Sequence, residues 1–216
     1  MKKTIIAIAV SVGIVGSTFA QGTVLFNNNN GTKVSTTDGI TSTFAAGSFY
    51  YALFASTSQT MVNGSAAPVT GTNITSYAFD NAGWVFQSYG TNTATAGRFV
   101  SSSSDALSQT SLTFAGGGSG GYFTVVGWSA NIGTTWQSVQ AYLSSTPAFS
   151  AFVGESAVSG NIVAGINGST PAAGLFGAAP LLGAFNLGLV VPVPEPGTLA
   201  LMALGSASLL LFRRKK

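Results

Sequence analysis

Tyr122-Phe123-Thr124-Val125-Val126-Gly127-Trp128 is the stretch that decides the fold of this chain. In an extended backbone Tyr122, Thr124, Val126 and Trp128 fall on one side and Phe123 and Val125 on the other. β-Branched and aromatic residues dominate, as a pleated surface prefers. Working outward, Phe49-Tyr50-Tyr51-Ala52-Leu53-Phe54 is apolar on both alternating faces and predicts a strand buried on two sides, and Trp84-Val85-Phe86 reads the same way. Further strands are predicted at residues 23–26, 98–100, 111–114, 149–153 and 185–191, with Gly, Ser, Thr and Asn between them. Short strands joined by turn-rich loops predict a mainly β chain, with a single antiparallel β-sandwich or jelly-roll-like domain.

One short helix is predicted near residues 134–143. Gly133-Thr134 is placed to initiate it, and Trp136, Val139 and Leu143 recur at i, i+3 and i+7 as one apolar stripe. The run Gly116-Gly117-Gly118-Ser119-Gly120-Gly121 reads as a loop joining two strands. A phosphate-cradling role does not suit it, because no Lys-Ser/Thr pair follows and the next element reads as a strand, not a helix N-terminus.

The two ends distort the composition. Lys2 and Lys3 followed by an apolar run over residues 5–15 and then Thr18-Phe19-Ala20 read as a secretory signal peptide over residues 1–20, cleaved between Ala20 and Gln21. At the other end Pro194-Glu195-Pro196 precedes an uncharged apolar run over 197–212 and the cluster Arg213, Arg214, Lys215 and Lys216. Between them, over residues 21–192, only Lys33 and Arg98 are basic, against Asp38, Asp80, Asp105 and Glu155, a net charge of −2. The whole-chain pI of about 9.3 therefore belongs to the targeting ends. No basic patch remains to neutralise phosphates, so a nucleic-acid partner is not expected.

The chemistry available to the domain is narrow. The sequence has no cysteine, which excludes thiol chemistry and a disulfide scaffold, and no histidine, which removes the commonest general base, the commonest zinc ligand and any Ser-His-Asp triad. Each acid stands alone without a metal or glycosidase motif and reads as a solvated or turn residue. Neither a cofactor nor a metal site is expected, and the domain is read as non-enzymatic. Trp84, Trp128 and Trp136 sit in apolar strings that predict core packing; the alternative is a flat sugar-stacking platform of a carbohydrate-binding ectodomain.

The C-terminal segment, residues 193–216, resembles the PEP-CTERM sorting signal, in which Pro-Glu-Pro, a hydrophobic helix and a basic terminus follow one another. The prolines fix φ and remove backbone donors, so a helix begins only after them. Residues 197–212 then predict a C-terminal transmembrane helix of about 24 Å, short against about 30 Å of hydrocarbon and suited to a temporary anchor. The basic cluster at 213–216 stays cytoplasmic by the positive-inside rule, which places Pro194, Glu195 and Pro196 at the opposite face. The resemblance implies an exosortase-like membrane enzyme as partner, and export from a Gram-negative cell with transient inner-membrane anchoring. It further implies a final place at the cell surface or in the extracellular matrix, beside exopolysaccharide and biofilm, in a structural or adhesive role. Phe123-Thr124-Val125-Val126-Gly127-Trp128, Gly133-Thr134-Thr135-Trp136 and Phe152-Val153-Gly154-Glu155-Ser156 also resemble a stretch of uncharacterised secreted domains that precede such tags. That likeness carries a fold and no activity.

Overall fold

The computed structural model describes residues 21–62, 67, 83–102, 108–166, 171–192, 197, 201–202, 204–206 and 208. The central strand is β8 (Gly120–Ser129), which contains the deciding stretch. It pairs antiparallel along its length with β4 (Phe49–Ser56), from Phe49 opposite Ser129 to Ser56 opposite Tyr122. Outward from β4 lie β5 (Val85–Asn92) and β6 (Phe99–Ser101). On the other side of β8 come β9 (Ala151–Glu155), β13 (Asn186–Val190), β2 (Ser35–Thr37) and β3 (Ser42–Phe44). The short β10 (Ile162–Val163) pairs with the start of β8, and the nine strands form one sheet.

A second sheet has β1 (Gln21–Leu25) at its centre, with β7 (Thr110–Gly116) along one edge and β11 (Gly165–Ile166) and β12 (Ala173–Gly174) along the other. The mainly β reading holds, and each predicted strand is present. The ladders are not all antiparallel, however: β13 runs parallel to β2, and β12 to β1. Parallel neighbours require a long crossover. Here most of the domain intervenes between β2 and β13, a relation that local periodicity does not encode.

Strand alternation gives the large sheet two buried faces. One packs against the small sheet, bringing Tyr51, Leu53, Ala55, Phe123, Val125 and Leu187 against Val24 and Leu112 in a first core. The opposite face carries Ala52, Phe54, Val126, Trp128 and Val153, covered by α1 (Trp136–Ser144) in a second core. The predicted helix is real, with two refinements. It is capped by Thr135, whose side chain accepts from the Ser138 amide, and it buries Trp136, Val139 and Tyr142, with Leu143 half-buried at the margin.

Side chains tie the sheets together where the backbone ladder runs out. Gln87 Oε1 on β5 accepts from the Thr113 amide on β7 at 2.8 Å. Buried Asn28 accepts from the Phe99 amide at 2.8 Å and donates to the Thr32 and Gly97 carbonyls, satisfying three backbone groups that would otherwise be orphaned.

Candidate functional site

The three segments that resemble other secreted domains meet in space. β9 is in register with the end of β8, placing Val126 opposite Glu155, Gly127 opposite Gly154 and Trp128 opposite Val153. The glycines are there for fit. A Cβ on Gly154 would run into the Asn186 carbonyl oxygen, and one on Gly127 would lie 2.8 Å from Leu187 Cδ2 and 2.9 Å from the Tyr51 ring. Gly133 has φ +131° and leaves room for Ser138.

The tryptophans are placed by the same arrangement. Trp128 is fully buried and its Nε1–H donates to the Gly133 carbonyl at 2.8 Å. The amide of Trp136, which is also buried, donates to Tyr89 Oη at 2.9 Å. Their rings lie 6.5 Å apart at 58°, neither coplanar nor open to solvent. Trp84 is half-buried and donates to the Met61 carbonyl at 3.0 Å. The set Trp84, Trp128 and Trp136 does not form a flat exposed platform; two members are pillars of the second core, whose apolar area outweighs any surface role.

The acids behave differently from one another. Asp38 is exposed in the turn between β2 and β3, where Oδ1 accepts from the Thr41 and Ile40 amides at 2.7 and 2.9 Å. Those backbone hydrogen bonds, Thr41 first, hold its carboxyl below the usual range. The solvated-turn reading is right for Asp38. It is wrong for Glu155, which is 3% exposed at the end of β9. Its Oε1 accepts from Thr124 Oγ1 at 2.9 Å, while its Oε2 is buried with no hydrogen-bond partner. Desolvation pushes its pKa up to about 9, so the group is a neutral carboxylic acid at neutral pH. A sequence signal for this existed: residue 155 shares the parity of Ala151 and Val153, both on the second-core face. Asp80 and Asp105 lie outside the described residues. Among the described residues no group of three acids or other ligands is placed to hold a metal.

Beyond Glu155 the chain continues beside β8 with side chains completing the ladder. The Ser156 and Ser159 amides donate to the Val125 and Phe123 carbonyls. In return the Val125 and Phe123 amides each donate to the hydroxyl oxygen of the same serine, Ser156 and Ser159, at 2.9 Å. Each hydroxyl passes its own proton on at 2.8 Å, to the Ala157 and Gly160 carbonyls. Every polar contact in this cluster is accounted for as structure except the free oxygen of Glu155.

The sorting segment is the other candidate. Gln21, the expected mature N-terminus, opens β1, and Ala20 lies outside the described residues. So do Pro194, Glu195, Pro196, Arg213, Arg214, Lys215 and Lys216. Of the apolar run, the described residues 197, 201–202, 204–206 and 208 are helical and exposed. No helix among the described residues is long and apolar enough to cross a membrane. Residues 192–215 match the family model of the PEP-CTERM protein-sorting motif. The chain carries a PEP-CTERM sorting motif. PEP-CTERM proteins are substrates of exosortase, a membrane enzyme, so this protein is exported and sorted by that route to a surface or extracellular fate in a Gram-negative bacterium. No curated protein and no solved structure matches the chain.

Proposed function

We propose that the β-rich domain is the cargo of this sorting route: a structural, non-catalytic component of the cell envelope or extracellular matrix, laid down beside exopolysaccharide. The apolar run over 197–212 holds it briefly in the inner membrane, Arg213, Arg214, Lys215 and Lys216 stay cytoplasmic, and the enzyme acts at Pro194-Glu195-Pro196. In that step the protein is the substrate, and Glu195 is a recognition residue.

The observation that carries this reading is the match of residues 192–215 to the sorting motif. The fate of the described acids supports the non-catalytic part. Asp38 has its Oδ1 tied into its own turn, and Glu155 is sealed under the sheet. Intact mass of the protein from membrane and medium, in hosts with and without the exosortase, tests it. The expected product begins at Gln21 and ends near Pro194 only when the enzyme is present. Full-length chain in both hosts would overturn the proposal.

A further inference from the structure

Three large apolar side chains stand exposed at the end of the sheet from which the sorting segment departs. β13 lies between β2 and β9, with Gly188 opposite Thr37 and Val190 opposite Ala151. The turn after β2, the exit of β13 and the entry to β9 are therefore neighbours. They carry Ile40 at 93% exposure, Val191 at 49% and Phe149 at 41%. The Phe149 ring lies 5.1 Å from that of Tyr142, whose hydroxyl donates to the Phe149 carbonyl at 2.8 Å. Single exposed apolar residues are ordinary, whereas a docking surface gathers several at one place, and these three stand on neighbouring strand ends.

The chain itself names the occupant. From Val190, the last residue of β13, to Gly197, where the apolar run begins, there are seven Cα steps, which span at most about 25 Å when fully extended. Part of that is taken up by the headgroup layer, about 5–7 Å thick. A domain tethered this closely meets the bilayer at high effective concentration, and weak apolar contacts are then enough to orient it. Among residues 38–41, 147–150 and 190–192 the sole charge is Asp38, with no base to seek anionic lipid.

We propose that this end of the domain is a membrane-facing surface. Ile40, Phe149 and Val191 rest in the headgroup region of a zwitterionic bilayer while the chain is anchored, which fixes the orientation in which Pro194-Glu195-Pro196 is offered for processing. The proposal rests on the reading that residues 197–212 enter the membrane.

Because the sequence has no cysteine, single labels can be placed at will. Full-length Ile40→Cys and Phe149→Cys proteins, each carrying an environment-sensitive fluorophore, are reconstituted in phosphatidylcholine vesicles and exposed to nitroxide-labelled lipid. Val163→Cys is the reference: Val163 is 60% exposed, and it pairs with Gly120 at the far end of the ten-residue β8. The expected result is several-fold stronger quenching and a blue-shifted emission at positions 40 and 149 relative to 163. Vesicle flotation with equal, weak quenching at all three positions would overturn the docking surface and leave the anchor intact. Failure of the protein to float with vesicles would overturn the anchor, and the docking surface with it.

Discussion

The two faces of the β8/β9 strand pair are built on different rules. On the first-core side the strands present Gly127 and Gly154, and the missing side chains let Tyr51, Leu187 and the β13 backbone close in. On the second-core side the same strands present Thr124, Trp128 and Glu155, whose polar atoms must find partners. Beside the apolar packing common to both, one face depends on the absence of atoms at two glycines and the other on hydrogen bonds. Each is intolerant of change, but to different substitutions, and stability measurements can separate the two.

The largest effect is expected on the glycine face. Gly154→Ala forces its Cβ against the Asn186 carbonyl, a backbone atom that cannot turn aside. β9 and β13 would have to separate, and we expect a loss beyond about 4 kcal/mol, seen as failure to reach a cooperative urea transition. Gly127→Ala meets side-chain atoms, Leu187 Cδ2 and the edge of the Tyr51 ring, rather than backbone, and should fold with a loss of about 1–3 kcal/mol. Equal losses would show that close packing alone, not backbone contact, sets the tolerance of this face.

The next effect belongs to Glu155 and has a definite sign. Its folded pKa of about 9 lies above the ordinary 4.5, because burial penalises the charged form. Below about pH 4.5 both folded and unfolded states hold the proton, and burial of the acid carries no ionic penalty. As pH rises from there to about 9 the unfolded state ionises and the folded state does not, so stability falls, by several kcal/mol over the whole window. Glu155→Gln should flatten this slope and raise the urea midpoint most at alkaline pH. A mutant whose pH profile parallels that of the parent would show that Glu155 is not the titrating group.

These contrasts also explain what the sequence reveals by itself. Long strands such as β4 and β8 are legible because their apolar residues fill both faces, and α1 because Trp136, Val139 and Leu143 recur at helical spacing, although Tyr142 and not Leu143 is the third buried member. The short strands β2, β3, β10, β11 and β12 carry no period of their own; β2, β10, β11 and β12 are paired with strands distant in sequence, and β3 forms only by turning back on β2. The sorting motif is legible because its order is linear. Glu155 reads as a surface acid when taken by residue type and as a core residue when taken by parity, and parity proves the better guide.

A smaller effect is expected where side chains finish the β8 ladder. Ser156→Ala and Ser159→Ala would each leave a buried amide, Val125 or Phe123, without its acceptor, at about 1–3 kcal/mol. Both serines lie on one short segment, so the double mutant should lose less than the sum if that segment detaches as a unit. Strict additivity would mean that each serine holds its own strand position independently.

The smallest effect separates the two described acids. Asp38 is exposed, and its carboxyl is held below the ordinary range by the Thr41 and Ile40 amides, so its contribution is present above the unfolded pKa of 3.8 and is lost as pH falls through the folded value. That is the opposite sign to Glu155. Asp38→Ala removes an acceptor from an exposed turn and should lower the midpoint slightly at neutral pH, with the difference closing under acid. Thermal unfolding of the parent, Asp38→Ala and Glu155→Gln across one pH series therefore resolves two curves that bend in opposite directions. If both mutants bent the profile the same way, burial would not be what distinguishes these acids, and the assignment of Glu155 as a neutral core residue would fall.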